Sequence, residues 1–184
     1  MRNWFANQWM EMRRRPLVRP WALVAPVVVL LIALPLIRLR GPAELSENEK
    51  SRLATVQAIV EQGTLAIDGT LPELARTEDK IVAWTDEGPR HYSKLPPLMS
   101  VLLAGLYWPM HKLGLTFDGQ GHFIVYLLTI LGVTVPVAAG AGMVYRLGRL
   151  FELRRPWRAT LGLAAVCGTG LLSYATVLNS NALA

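Results

Sequence analysis

Cysteine occurs once in the 184 residues. Cys167 lies inside an apolar run, and a lone thiol excludes both a disulfide framework and a thiolate zinc site built from this chain alone. Charge is scarce too: 17% of residues are Asp, Glu, Lys or Arg, against 52% hydrophobic, and the mean hydropathy is +0.32. Soluble domains carry about 25% charged residues, so the composition is that of a membrane protein. No Gly-rich phosphate loop, nucleophile elbow or His-Glu zinc motif occurs. The three histidines, His91, His111 and His122, are too scattered to suggest a metal site.

Acidic residues are few outside one stretch. Gly41 to Lys94 holds ten acidic and six basic residues, net −4, while the other 130 residues hold thirteen basic and three acidic, net +10. An acidic loop between basic flanks suits a loop on the far side of a membrane, with the flanks at the cytoplasmic face. The basic residues adjoin apolar runs rather than a folded face with stacking aromatics, which argues against nucleic acid as a partner.

The first apolar run, PWALVAPVVVLLIALPLI at 20–37, has about 18 uncharged residues, near the ~20 that cross a bilayer. Its prolines are tolerable in a membrane helix. Before it lie Arg2, Arg13, Arg14, Arg15 and Arg19 against Glu11. A cleavable signal peptide is the rival reading, but the run ends in Ile37-Arg38-Leu39-Arg40 with no small-residue cleavage pattern. The expectation is an uncleaved anchor in the cytoplasmic (inner) membrane, with a basic cytoplasmic N-terminus at 1–19. Further spans are expected at 121–145 and 158–178. The basic loop 146–157 between them belongs on the cytoplasmic side. If 95–110 also crossed, that loop would lie outside. This segment is therefore read as a juxtamembrane or re-entrant helix, led by Pro96 and Pro97 where a helix tolerates proline, with Tyr107 and Trp108 at headgroup level. The expected fold is an all-α integral membrane protein of about three transmembrane helices, with an extracytoplasmic loop at 38–94 and juxtamembrane amphipathic helices.

Within that loop, Ser46 and Glu49 have capping-box spacing and Gly63 is a stop signal, which predicts a helix over about 47–62. Leu53, Val56 and Val60 form its apolar stripe, and Glu49 falls on the same stripe. From helix physics alone, Glu49 closes the capping box and does nothing else. Further on come Asp68, Asp79, Asp86 and Glu87, then Lys80, Arg90, His91 and Lys94. Carboxylates can hold a divalent cation and interfacial cations can bind phosphate.

The stretches ENEKSRLATVQAIVEQGTLAID, DK and HYSKLPPLMSVLLAGLYW, taken in order, resemble the opening of GT-C membrane glycosyltransferases, such as the aminoarabinose and protein mannosyl transferases. The resemblance implies transfer of a sugar from a polyprenyl-phosphate carrier to an extracytoplasmic acceptor. It places Glu49 as the first loop acid, either general base or metal ligand, and Asp79 as a second. It places Tyr92, Lys94, Pro96 and Pro97 in the lysine-proline motif, with Lys94 meeting the lipid phosphate, aided by Arg90 or His91. A divalent ion, Mg²⁺ or Mn²⁺, would then be held by Glu49 and Asp79. Such enzymes are larger, so the chain is read as an N-terminal part of one. A small non-catalytic membrane protein, an assembly or lipid-binding partner, is the alternative. A transporter is disfavoured, because the spans lack ionisable residues in their middles.

Overall fold

Residues 20–178 apart from Glu87 are described in a computed structural model, so the N-terminal segment 1–19 and its expected cytoplasmic placement lie outside the described residues. Helix α1, Pro20–Ala33, contains Pro26 and continues into a 3₁₀ turn at Leu34–Leu36. A second 3₁₀ turn, Pro42–Glu44, leads into the loop.

Helix α2, Glu47–Gln57, begins at the expected capping box. The Ser46 hydroxyl accepts from Glu49 N, and the Glu49 carboxylate accepts from Ser46 N. A wider π turn at Ala58–Gln62 carries the helix on to Gly63, whose φ of 69° is a left-handed conformation that glycine adopts without a Cβ penalty. A one-sided apolar stripe was expected, yet every residue from Ser51 to Ala58 is buried. The helix is the centre of the loop and is covered on several sides, by α3 (Pro72–Ala75), by α4 (Pro97–Lys112) and by the second strand of a hairpin.

The described residues are mostly helical, as expected, and this hairpin is the departure from an all-α fold. Strand β1, Lys80–Thr85, pairs antiparallel with β2, Gly88–Ser93, in register Lys80↔Ser93, Val82↔His91 and Thr85↔Gly88. Ile81, Val82, Trp84 and Thr85 are residues that suit strands, and Gly88 closes the turn at φ 114°. An isolated bridge, Ala66↔Tyr92, adds the preceding segment to the edge.

Helix α4 starts at Pro97 with Pro96 as its extended cap residue. It buries Ser100, Leu103, Ala104, Tyr107 and Met110 and leaves Leu98, Val101, Leu102 and Trp108 exposed. Tyr107 is therefore not at a headgroup surface as expected: it is 0% exposed, packed on Phe117 and His111.

Helix α5 (Phe117–Thr129), a π turn at Ile130–Thr134 and helix α6 (Val135–Leu147) form one continuous segment of 31 residues with mean hydropathy 2.1. The π turn has a local cause. Pro136 has no N–H, and its ring crowds the carbonyl four residues back, so the wider turn before it makes room. The Thr134 hydroxyl lies 2.7 Å from Ala175 O and 3.2 Å from Thr129 O, binding this turn to the end of the described chain. Helix α7, Arg155–Cys167, stops at Gly168, and after Gly170 a short helix α8, Leu171–Tyr174, follows. The expectation of about three transmembrane helices is thus met in part. Phe117–Leu147 is long and apolar enough to cross a membrane, Ala22–Leu36 is shorter, and the third segment is interrupted at residues 168–170.

Helices α1, α6 and α7 pack against one another through small residues. A Cβ on Gly162 would stand 2.7 Å from Ala141 O and 3.2 Å from the Ala25 Cβ. Close backbone approach of this kind is how membrane helices gain contact without a hydrophobic driving force. One apolar core runs from Ala25 and Val29 in this bundle through Leu128 and Leu103 to Leu53 and Leu74 in the loop.

Candidate functional site

Glu49 sits where the loop meets the bundle. Its Oε2 accepts from Arg40 Nη1 at 3.0 Å, Ser46 N at 3.1 Å and Ser46 Oγ at 2.9 Å. Its Oε1 accepts from Arg40 Nη2 at 2.8 Å and from Leu178 N at 3.1 Å. A carboxylate offers about four lone-pair positions, and here five donors surround it, one group of them a guanidinium. Burial pushes this carboxyl up, but the Arg40 and Ser46 hydrogen bonds outweigh it and hold it below its ordinary value. In this arrangement Glu49 is an ion-pair anchor rather than a free base.

Arg52 lies three residues further along α2, on nearly the same face. It is 2% exposed, and its Nε and Nη1 have no hydrogen-bond partner among the described residues. Burial lowers its affinity for a proton, while the Glu49 charge raises it. This cation leans on Glu49 electrostatically, without a direct bond.

Ser51 faces the other way, because two residues at ~100° each lie about 200° apart round a helix. Its hydroxyl donates to Asp79 O at 2.7 Å and stands 2.7 Å from Ser93 Oγ, latching both ends of the hairpin to α2. Asp79 and Lys94 extend the ladder by one step, with Lys94 N donating to Asp79 O at 3.1 Å. Lys94 Nζ is exposed and donates to Glu78 O at 3.2 Å. Glu47 completes this corner. Its carboxylate accepts from Glu78 N and pairs with Lys50, both at 2.9 Å, and its carbonyl accepts from Thr77 Oγ1.

The expected site residues thus divide into separate groups. Asp79 and Lys94 come together at the hairpin base, just before Pro96 and Pro97 open α4. Glu49 points away from them, to the opposite side of α2. A metal ion shared by Glu49 and Asp79 does not fit: the Glu49 carboxylate is filled by a guanidinium and three further donors, and the Asp79 backbone is held at Ser51, on the opposite face of α2. Among the described residues no group of three or more His, Cys, Asp or Glu side chains is placed to hold a metal ion. In the ladder, Arg90 and Tyr92 fall on one face of β2 and His91 on the other, since successive side chains alternate. His91 is clamped by Asp68, which accepts from its backbone N at 2.9 Å and from Nδ1 at 2.5 Å.

Arg40, Ser51 and Arg52 are the residues that sequence reasoning missed. Arg40 was legible only as a basic flank of the first span. Ser51 and Arg52 gave no signal, because their roles depend on elements far along the chain. No family model, no curated protein and no solved structure matches this chain.

Proposed function

We propose that this chain carries the outer loop and juxtamembrane helix of a membrane glycosyltransferase, one that moves a sugar from a polyprenyl-phosphate carrier to an extracytoplasmic acceptor. The reading rests on the junction of Lys94 with α4. Leu98, Val101, Leu102 and Trp108 make an exposed apolar stripe along that helix, the kind of surface a bilayer covers. Lys94 stands exposed at the end where the chain enters the helix, and the single hydrogen bond of its Nζ leaves two of the three ammonium N–H donors for a phosphate. A lipid lying along the stripe would bring its phosphate to this lysine.

Under this reading the protein sits in the cytoplasmic (inner) membrane, with 38–94 outside. Lys94 stabilises the phosphate as it leaves the sugar, the role of a cation placed where negative charge develops. Proton removal from the acceptor by Glu49 requires Arg40 to let go first. Until then Glu49 holds the loop to the bundle, and no step is assigned to a metal ion.

The saturated shell of Glu49 favours a second reading, a non-catalytic membrane partner whose loop is a rigid docking surface. Native mass spectrometry of the chain in nanodiscs separates the two. Under the first, a polyprenyl phosphate stays bound where the matching polyprenol does not, and Lys94→Gln releases it. Equal retention of the phosphate and the alcohol would end the glycosyltransferase reading and leave the second.

A further inference from the structure

On the far side of the hairpin from Arg90 and Tyr92, a cleft of about 360 Å³ opens between the hairpin, α3 and the 67–70 turn. It is lined by Asp68, Thr70, Arg76, Lys80 and His91, with Ile67, Pro72 and Ala75 as its apolar wall. We propose that this cleft is a binding site for a phosphomonoester. The proposal goes beyond the transfer reading and does not depend on it.

The charges are the first argument. The loop as a whole is acidic, yet two of its six Lys and Arg residues, Arg76 and Lys80, converge here with His91. Among the described residues the one acid lining the cleft, Asp68, is already engaged by His91. Arg76 is exposed; its backbone N donates to Pro72 O at 3.1 Å, and its guanidinium carries no hydrogen bond or ion pair among the described residues. Lys80 Nζ gives one bond, to Ala75 O at 3.3 Å, and keeps two donors. A guanidinium fork beside an ammonium is the pair of groups that phosphate oxygens match best.

Preorganisation is the second argument. Lys80 and His91 share a face of the hairpin as diagonal neighbours, because Lys80 pairs with Ser93 and Val82 with His91. Asp68 fixes the imidazole through Nδ1, and Ile67 N binds His91 O at 2.9 Å, so ring and backbone are both held. Nε2 is the ring nitrogen left for a ligand. Thr70 is tied to Ile67 O at 2.7 Å and sets the turn. The volume is at the low end for small-molecule sites, which suits a phosphate carrying a small polar group and leaves no room for a polymer.

The test uses the 184-residue chain in nanodiscs of neutral lipid, with histidine rings isotope-labelled and the His91 signal assigned by its loss in His91→Asn. Inorganic phosphate is titrated at constant ionic strength against chloride. A saturable shift of the His91 ring with phosphate and none with chloride is expected, and the Arg76→Gln/Lys80→Gln double variant should weaken binding at least about tenfold. As an independent variant, Asp68→Asn should also weaken it by freeing the ring. A shift that rises linearly with concentration, or the same affinity in the double variant, overturns the proposal. Nanodiscs containing phosphatidic acid separate two sources of the same chemistry. A His91 shift already present in them, and displaced by free phosphate, identifies a lipid headgroup, whereas its absence beside a saturable phosphate response identifies a soluble ligand. Polyprenyl-phosphate retention at Lys94 is read separately, so either result stands without the other.

Discussion

The guanidinium of Arg40 meets the carboxylate of Glu49 at two points, Nη1 to Oε2 at 3.0 Å and Nη2 to Oε1 at 2.8 Å, at the junction of the 38–94 loop with the helix bundle. Removing one partner of a buried pair leaves the other uncompensated, a loss of about 3–5 kcal/mol. Arg40 is 21% exposed on its side chain and Glu49 5%, so the two losses should differ. Glu49→Ala is expected near the lower end of that range, and Arg40→Ala below it, because water reaches the pair from the arginine side. Thermal unfolding in detergent checks both, and an equal loss in the double variant would show that the pair acts as a unit.

The same carboxyl sets a pH response. Its folded-state value is depressed below the ordinary 4.5 by Arg40 and Ser46, which outweigh burial. The stabilisation is therefore complete above about pH 4.5 and is lost as pH falls through the lower folded value. Wild-type protein should lose stability on acidification below that point, and Glu49→Gln should lose less over the same interval. Parallel curves for the two would place the acid response elsewhere, at Glu47 or Asp68, whose carboxyls are also held below their ordinary values.

Arg52 offers the opposite test. A buried guanidinium with two unpaired nitrogens costs the fold about 1–3 kcal/mol, offset in part by the charge of Glu49. Arg52→Met should leave the melting temperature unchanged or raise it. A fall would mean that the attraction of Glu49 outweighs the cost of burying the guanidinium.

Tyr107 donates to Glu61 Oε1 at 2.7 Å from a wholly buried position. Burial, then the Glu61 carboxylate, push its phenol well above the usual range. In an alkaline absorbance titration one of the five tyrosines should stay protonated after the rest ionise. Tyr107→Phe should remove that lagging step and cost about 1.5–3 kcal/mol, as expected for a bond to a charged acceptor.

Two glycines separate packing from propensity. Gly162→Leu drives a side chain into Ala141 O and Ala25, and overpacking of this kind costs about 1–3 kcal/mol. Gly105→Ala, with nothing within 4 Å of the new Cβ, should stabilise α4 by about 0.5–1 kcal/mol. Thermal unfolding of both variants in one detergent provides the contrast.

How much of this was legible follows from the range of each interaction. Ser46, Glu49 and Gly63 lie within one helix, and their local chemistry was enough to place α2. Pro96 and Pro97 likewise marked the start of α4, and the apolar run around 121–145 marked the longest segment, α5 to α6. The hairpin was overlooked although Ile81, Val82, Trp84 and Gly88 carry strand and turn signals; the charges at Lys80, Asp86 and Arg90 drew the reading to ligand chemistry. The interruption after Cys167 was visible in Gly168 and Gly170, but apolar composition concealed it. Arg40, Leu178 and Ser51 were out of reach, because helix periodicity names the face a residue takes and not the distant group that meets it.

The bond from Leu178 N to Glu49 Oε1 joins residues 129 positions apart. At ribosomal speeds of about 5–20 residues per second, Leu178 is made roughly 6–26 s after Glu49. The capping box can form as soon as α2 exists, and Arg40 is already present, so the carboxylate waits partly dressed for its last donor. The loop is therefore completed by groups that precede it and groups that follow it in sequence, and its final closure reports that the third apolar segment has been put in place.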